Sequence, residues 1–463
     1  MNPAEVSSAP AVQSVELEAR DQLARALAEL AGRDALGVIS LPAPRTAAET
    51  LLDIATGDAL LWAPPGDAPV FSGSGSARLL VASGPDRFQR IREQAAAERL
   101  VRLGSPGSPW PRWFGGFAFQ AGAAGTPWGA FGEARFTLPR WRYARADGRA
   151  WLDLAVHGRE IEQAGECDEW MRQLERLWRL LSMPPASDRH RCPALVSIDA
   201  GQRNDYEAAV EAIVANIRTG RFEKVVAARR ALLELDPPPD PRTLLMRLSE
   251  QAPGCTRFAF RVGARTFLGA TPERLIDKRG LRIETEALAG SIRAGSPEQA
   301  SLLQNSHKDL DEHRFVVREI VGCLAGLCGA LRYPDQPEIR ALAHVLHLRT
   351  PIVGELASAR HVLELVETLH PTPAVGGVPT PEAQRWIAEH EAEPRGWYAG
   401  PVGLFDADGD GQFAVALRSG LFEGARAYLY AGAGIVGDSD PASEYAETRL
   451  KLESLLSVLG VDA

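Results

Sequence analysis

Apolar residues recur every three or four positions in several stretches of the chain, a pattern that predicts amphipathic helices. The predicted helices cover residues 15–31, 88–102, 160–181 and 204–219, with a long helix that begins at Ser306 and a last one that begins at Asp440. Ser306 and Asp440 are good capping residues, and Pro441 suits a first helical position because no backbone N–H is needed there. The starts of these two helices are therefore the best defined.

Strand-like patterns stand between these helices. They cover Phe222–Arg229, Arg257–Gly269, Ile283–Ala289, Tyr398–Phe405, Gln412–Phe422 and Ala427–Tyr430. The second stretch alternates like a hairpin, and the fourth and fifth form another hairpin around the turn Asp406–Gly411. Because strands and helices arrive mixed and hairpins are frequent, we expect the sheets to be largely antiparallel.

Composition limits the classes of function. The chain has 463 residues, 45% of them hydrophobic, which is enough to bury a large core. A net charge of −9 and a pI of about 5.6 offer no basic surface for nucleic acid or an anionic membrane. Five cysteines without C-x-x-C spacing are typical of reduced thiols, and the amino terminus lacks the regions of a signal peptide. We expect a cytoplasmic protein without nucleic-acid or membrane partners.

The stretch Met183–Pro193 is rich in proline and charge and is the best linker candidate. It separates an aromatic-rich, less specific part, residues 1–190, from a part with sharper patterns, residues 200–460. Residues 110–143 hold ten aromatic side chains, which either pack between short strands or form a platform for a ligand. We expect both parts to form one compact structural unit.

Gly432, Gly434 and Gly437 have the spacing of a dinucleotide-binding fingerprint. That fingerprint needs a further strand and an acidic residue about 20 positions on. The residues after Gly437 read instead as one helix, so the spacing does not indicate a nucleotide site. Glycines here would let the backbone approach a different ligand closely.

Two charged residues, Lys224 and Glu286, stand in otherwise apolar predicted strands. Burial favours the neutral form of each group, so the lysine could act as a general base and the carboxylic acid as a general acid. From the pattern alone, a lysine that reaches water from a strand end and a carboxylate on an edge strand remain the alternatives.

Two carboxylate pairs repeat one spacing on two predicted helices. Asp309 and Glu312 are three positions apart, as are Glu444 and Glu447, and Lys451 lies on the same stripe as the second pair. Oxygen ligands from two helices suit Mg²⁺. Acidic residues near helix N-termini are also common because they interact favourably with the helix dipole, so both explanations stay open.

Nine motifs, in one order along residues 200–460, give the chain a family resemblance. They are Phe222-Glu-Lys-Val-Val, Gly269-Ala-Thr-Pro-Glu-Arg-Leu, Thr285-Glu-Ala-Leu-Ala-Gly, Lys308-Asp-Leu-Asp-Glu-His, His370-Pro-Thr-Pro-Ala, Arg395-Gly-Trp-Tyr-Ala-Gly, Ala416-Leu-Arg-Ser, Ala431-Gly-Ala-Gly and Glu444-Tyr-Ala-Glu-Thr. Together they resemble the chorismate-utilising enzymes, which include isochorismate, salicylate, anthranilate and aminodeoxychorismate synthases.

The resemblance implies a fold and a set of site residues. The fold is a single large α+β unit in which two orthogonally packed, largely antiparallel β-sheets are flanked by helices. A magnesium ion would be held chiefly by Glu312 and Glu447, with Asp309 and Glu444 behind them, and would bind the ring carboxylate of chorismate. The residues implied to contact the substrate are His347, Ala374, Tyr398, Arg418, Gly432, Gly434 and Lys451.

Three positions then point to one branch of the family. Lys224 and Glu286 match the branches that use water, and Ala374 resembles the isochorismate synthases, where salicylate and anthranilate synthases tend to have threonine. The implied reaction is an isomerisation in which Lys224 activates a water that adds at C2 of chorismate and Glu286 protonates the departing C4 hydroxyl. The amino-terminal part looks most like the isochorismate synthases of menaquinone synthesis.

A salicylate synthase and a non-catalytic chorismate-binding protein remain the alternatives. No amidotransferase domain is visible in the sequence, so we expect no obligatory amidotransferase subunit, and we expect a monomer or a weak homodimer. The sequence leaves open whether the product enters menaquinone or siderophore and salicylate biosynthesis.

Overall fold

The structure is a computed structural model that describes residues 9–52, 57–122, 124–183, 193–201, 203–342 and 345–461. Most of the predicted linker therefore lies outside the described residues. Ten α-helices lie within these ranges: α1 (Ala9–Leu30), α2 (Arg87–Ala96), α3 (Glu166–Ser182), α4 (Arg203–Arg218), α5 (Pro241–Gln251), α6 (Pro297–Asn305), α7 (His307–Ala325), α8 (Val362–Leu369), α9 (Thr380–His390) and α10 (Pro441–Leu459). Within the same ranges, none of the helices has the length and apolar character needed to cross a membrane.

The strands that the structure describes number 21. They are β1 (Leu36–Pro42), β2 (Ala59–Ala63), β3 (Val70–Ala82), β4 (Leu100–Gly104), β5 (Trp113–Phe117), β6 (Ala134–Ala146), β7 (Arg149–His157), β8 (Ala194–Asp199), β9 (Lys224–Asp236), β10 (Thr256–Val262), β11 (Arg265–Thr271), β12 (Arg274–Arg279), β13 (Arg282–Arg293), β14 (Cys328–Arg332), β15 (Glu338–Ala341), β16 (Val345–Leu356), β17 (Gly377–Val378), β18 (Pro401–Phe405), β19 (Gly411–Val415), β20 (Ser419–Glu423) and β21 (Arg426–Ile435).

Hydrogen bonds link these strands into one continuous network. Among the pairings of the described strands, β1 with β4 is parallel and the others are antiparallel, which confirms the prediction of largely antiparallel sheets. Strands from both parts of the chain pair directly, since β2 lies beside β10 and β5 beside β18. The division of the chain near residue 190 stays a prediction.

Among the described residues, buried hydrophobic side chains form two large clusters and a small one. The aromatic residues of 110–143 belong mainly to the first cluster, where Trp113 and Trp128 are almost fully buried. Of the two explanations for this stretch, the structure favours packing between strands. The second cluster joins α1, α3, α5 and α10 to the sheet.

The predicted starts of two helices are confirmed. The Ser306 hydroxyl accepts a hydrogen bond from the Asp309 N–H at 3.3 Å at the start of α7. The Asp440 carboxylate accepts one from the Ser443 N–H at 2.8 Å at the start of α10. Each cap satisfies a backbone donor that the helix itself cannot pair.

Two element boundaries differ from the predictions. The helix predicted over 88–102 ends at Ala96, because Leu100–Gly104 pairs with β1 as a strand, and this tertiary pairing outweighs the local helical pattern. The strand predicted over Gln412–Phe422 is divided into β19 and β20. The break falls at a turn in which Arg418 has a positive φ of 50°.

The pairing of β9 with β21 forms the part of the sheet that positions the candidate site. The two strands run antiparallel over ten residue pairs, so Gly434 lies opposite Val226 and Gly432 opposite Ala228. Helix α10 follows β21 after a short turn that ends at Asp440. Residues at the end of β21 and in the first turns of α10 are therefore held close to the start of β9.

Candidate active site

A cavity of about 280 Å³ is lined by residues from β9, β13, β16, β21, α7 and α10. It brings together twelve of the thirteen site residues predicted from the sequence: Lys224, Asp309, Glu312, His347, Ala374, Tyr398, Arg418, Gly432, Gly434, Glu444, Glu447 and Lys451. Their sequence positions span more than 220 residues, so the fold assembles the site from distant segments.

Lys224 is the first residue of β9, and only 4% of it is exposed. Its Nζ donates to the Glu312 Oε1 at 2.7 Å, within the cavity. The alternative of a strand-end lysine that reaches water is therefore wrong. A Cβ at Gly434 would lie 2.8 Å from the Lys224 Cε and 3.1 Å from the Glu312 Oε1. Because glycine has no side chain, position 434 leaves room for the ion pair of Lys224 and Glu312.

Lys451 forms a second lysine–carboxylate pair in the same cavity. Its Nζ lies 2.6 Å from the Glu447 Oε1, one turn earlier on α10, and donates to the Gly432 carbonyl at 2.9 Å. The stripe predicted for Glu444, Glu447 and Lys451 is present on α10, and the hydrogen bond ties that helix to β21.

The acidic side chains of the cavity differ in their electrostatic surroundings. Burial and the nearby Glu447 raise the pKa of Glu444, although the Ser439 hydroxyl donates to its carboxylate at 2.7 Å. Burial alone would also raise the pKa of Glu312, but Lys224 and the more distant Lys451 lower it below its ordinary value. The burial of Glu444 is thus less fully offset by cations than the burial of Glu312.

Oxygen donors of this kind suit a hard cation such as Mg²⁺. In the described ranges, no three His, Cys, Asp or Glu side chains are close enough together to form a complete metal cage. Mg²⁺ is usually held by one or two carboxylates, with water and substrate oxygens completing its shell. Glu312 and Glu447, which line one cavity from two different helices, offer carboxylates of this kind and therefore fit such an ion.

The other polar residues of the cavity keep defined protonation states. Burial, together with Arg418 and Lys451, lowers the pKa of His347 to about 3, so its imidazole is neutral near pH 7. Its Nε2 is buried without a hydrogen-bond partner. Burial raises the pKa of Tyr398 to about 12, which keeps its hydroxyl a hydrogen-bond donor. Both side chains can therefore bind a polar ligand group without changing charge.

Glu286 is the one predicted site residue that does not line this cavity. Its carboxylate faces a separate cavity of about 530 Å³, where it contacts Arg340 at 2.9 Å and Arg349 at 2.5 Å. It also accepts the Arg274 N–H at 3.1 Å. A carboxylate tied to two guanidinium groups outside the cavity is poorly placed to donate a proton to a ligand inside it. This placement does not favour the role predicted for Glu286, which stays a prediction.

Glu273 is the acidic residue that the sequence analysis missed. It lies in the short connection between β11 and β12, is 5% exposed and lines the cavity with Lys224. Burial, reinforced by the charge of Glu286, raises the pKa of Glu273 to about 8, against the weaker opposing effects of Thr372, Lys224 and Lys451. The cavity therefore contains a carboxylic acid that is protonated at neutral pH.

Glu273 belongs to the quoted motif Gly269-Ala-Thr-Pro-Glu-Arg-Leu, so a signal for it was present in the sequence. Its backbone is held on both sides. The Thr271 hydroxyl accepts the Glu273 N–H at 3.2 Å, and the Glu273 carbonyl accepts the Val415 N–H at 3.1 Å. These bonds fix a residue that would otherwise read as part of an exposed turn.

Comparisons with known proteins show which proteins the chain is similar to. A family model described as chorismate binding enzyme matches residues 25–460. The salicylate biosynthesis isochorismate synthase of Pseudomonas aeruginosa is 38% identical over 428 residues, covering 87% of this chain and 86% of that protein. The isochorismate synthase MenF of Bacillus subtilis is 35% identical over 381 residues, covering 81% of this chain and 79% of that protein.

The chain is also similar in fold to solved structures. The menaquinone-specific isochorismate synthase MenF of Escherichia coli has a TM-score of 0.79 and 26% identity, covering 96% of this chain and all of that one. Anthranilate synthase component I of Streptococcus pneumoniae has a TM-score of 0.66 and 21% identity, covering 86% of this chain and 92% of that one. The second likeness shows a shared fold alone.

Proposed function

Because the chain belongs to the chorismate-binding enzyme family, we propose that it is an isochorismate synthase, an isomerase that converts chorismate to isochorismate. The observation that carries the proposal is the presence of Lys224 and a protonated Glu273 in one buried cavity. A base and an acid are the two groups needed to add water at one carbon and release hydroxide from another. The names of the two relatives with the highest identity given above support the same activity.

In the proposed mechanism, the reactive form of Lys224 is the neutral amine, which accepts a proton from a water as the water oxygen adds to C2 of chorismate. The ring double bonds shift, and the C–O bond at C4 breaks. Glu273 gives its proton to the departing hydroxyl, which leaves as water, so one water is consumed and one released. The cycle closes when the proton taken up by Lys224 returns, through water, to Glu273. Glu273 here takes the role that the sequence analysis gave to Glu286, because Glu273 lines the cavity and is protonated near neutral pH.

The remaining cavity residues would bind and orient the substrate. Tyr398, Arg418, Lys451 and the backbone at Gly432 and Gly434 are proposed to hold its carboxylates, and neutral His347 and Ala374 to lie near its ring. Mg²⁺ held by Glu312 and Glu447, with Asp309 and Glu444 behind them, would supply positive charge to the ring carboxylate. Because each lysine already pairs with an acidic side chain, ligand binding would exchange these internal partners for new ones.

The pH dependence of the reaction follows from the state of Glu273. Its raised pKa of about 8 means that the acid is protonated below that pH and loses its proton as the pH rises through it. We therefore expect kcat/KM for chorismate to fall about tenfold per pH unit on the alkaline side. The test is a rate profile from pH 6 to 10, and a rate that stays level to pH 10 would contradict the assignment.

Gly434→Ala tests the close packing around the ion pair. The new Cβ would lie too near the Lys224 Cε and the Glu312 carboxylate, so we expect kcat/KM to fall about a hundredfold through misplacement of these groups. Gly437→Ala is the matched control, because its Cβ would meet only Ile217, at an ordinary contact distance of 3.4 Å. Equal activities of the two variants would show that the space at Gly434 is unimportant.

Product analysis decides between the proposed activity and its alternatives. The purified protein is incubated with chorismate and Mg²⁺, and the products are separated by chromatography. Isochorismate is the expected product. Salicylate with pyruvate would indicate a salicylate synthase, and absence of turnover by well-folded protein would indicate a non-catalytic chorismate-binding protein. Turnover only with ammonia or glutamine would place the chain in an aminating branch.

The family also supports several broader proposals. We propose that the product feeds menaquinone biosynthesis, with siderophore or salicylate biosynthesis as the alternative, since relatives are named for both kinds of pathway. We further propose that the protein is cytoplasmic and needs no amidotransferase subunit. We also propose that it is a monomer or a weak homodimer, and sedimentation of the purified protein tests this oligomeric state. The orthogonal packing of two sheet layers is part of the same proposal, and the two large cores support it.

A further inference from the structure

Glu286 is an almost fully buried carboxylate that the proposed reaction does not use. It projects from β13 and is 4% exposed. Arg340 on β15 and Arg349 on β16 contact its two oxygens. Burying an ion pair costs free energy unless the charged groups are well oriented and hydrogen-bonded to each other. The buried position of Glu286 therefore calls for an explanation.

Hydrogen bonding connects Glu286 directly to the segment that carries Glu273. The Glu286 Oε1 accepts the backbone N–H of Arg274, the residue immediately after Glu273, at 3.1 Å. Side chains two positions apart on a strand project from the same face. Leu288, two positions after Glu286, lines the cavity that contains Glu273. The Glu286 carboxylate therefore contacts the backbone of the segment that carries the proposed proton donor, next to the cavity.

The charges that face Glu273 come from several elements. Lys224 on β9 and Lys451 on α10 favour its ionised form, and the Thr372 hydroxyl donates to it at 3.5 Å. The neutral phenol of Tyr398 is also nearby. Among the charged groups that act most strongly on the Glu273 carboxyl in the described structure, Glu286 is the one anion, and it opposes the two lysines.

We propose that Glu286 is a positioning residue for Glu273: its hydrogen bond to the Arg274 N–H fixes the Glu273 segment, and its negative charge keeps the Glu273 carboxyl protonated. This inference rests on the proposed function, in which Glu273 is the proton donor. It assigns Glu286 a part in the reaction that requires no contact with substrate.

Glu286→Gln separates the charge from the hydrogen bond. Glutamine retains an oxygen that can accept the Arg274 N–H, but it lacks the negative charge. We expect the alkaline limb of the rate profile to move to lower pH by about one unit, so the ratio of the rates at pH 9 and pH 6 falls about tenfold. An alkaline limb that does not move would overturn the proposal.

Glu338→Gln is the matched control, because Glu338 contacts the same Arg349 but its side chain is 55% exposed. It removes one negative charge beside the same guanidinium, and we expect the alkaline limb to stay in place. Arg340→Gln gives a second, opposite test on a partly exposed residue. Removal of that cation should move the limb to higher pH, and a shift to lower pH would contradict the proposal.

Infrared spectroscopy tests the inference independently of turnover. The C=O band of protonated Glu273 is identified by its absence in Glu273→Gln and is titrated in the protein without substrate. Its midpoint should be lower in Glu286→Gln than in the wild-type protein. Equal midpoints would overturn the positioning role even if isochorismate is formed, whereas a shifted midpoint without any isochorismate would reject the proposed function alone.

Discussion

Lys224→Gln is expected to slow isochorismate formation by about a thousandfold, because an amide cannot accept the proton of the attacking water. The side chain would still fit beside Gly434 and could still donate a hydrogen bond to Glu312, so the fold should be retained. Steady-state kinetics with chorismate and Mg²⁺ measure the change. The loss should appear in kcat rather than KM, since the missing interaction belongs to the chemical step.

Lys308→Gln provides the comparison for that variant. Lys308 lines the same cavity but is exposed at the start of α7. Its removal lowers the positive charge near the cavity by the same amount, and we expect less than about a tenfold loss. If both variants lose activity equally, the role of Lys224 is electrostatic binding and not proton transfer. Near-wild-type turnover by Lys224→Gln would reject both roles.

Glu273→Gln is expected to lower kcat by about a thousandfold, because the departing C4 hydroxyl would lose its proton donor. Glutamine is close in size and neutral, as the protonated acid is, so neither folding nor chorismate binding should suffer much. Rates measured from pH 6 to 10, with binding followed by calorimetry, test both statements. The residual activity should no longer decline above pH 8.

The comparison with Glu286→Gln makes this prediction specific. Both changes remove one buried carboxyl, and the two residues are close neighbours. Only Glu273 lines the cavity, so its loss should reduce the rate at every pH, whereas the loss of Glu286 should act mainly on the alkaline side. A larger loss in Glu286→Gln at pH 6 would restore the role that the sequence analysis gave to Glu286.

The parts of the fold that depend on interactions between residues close together in the sequence could be predicted. The capping side chains of Ser306 and Asp440 mark the starts of α7 and α10, and alternation marks the hairpin of β10 and β11. The pattern could not show that residues 100–104 would leave a helical stretch to pair with β1. That pairing is a tertiary interaction between segments about 60 positions apart.

The cavity that Glu286 faces could not be predicted from the sequence for a similar reason. A period of two identifies which side chains share a face of a strand, but it does not show which of two adjacent cavities each one enters. Leu288 and Glu286 share a face, yet they line different cavities. Glu273, between Pro272 and Arg274 at a strand end, reads as a turn residue in the sequence. Only the structure shows that Glu273 is buried and that its backbone is hydrogen-bonded to Thr271 and Val415.

The pairing of β9 with β21 has a consequence for the order in which the protein folds. Lys224 begins β9, but β21 and α10, which supply Gly434 and Glu447, are the last elements of the described chain. Bringing such distant segments together requires closure of a very long loop, which is slow and entropically unfavourable until many contacts form. The cavity should therefore be completed late, so a nascent chain remains unable to bind chorismate until α10 has emerged and docked.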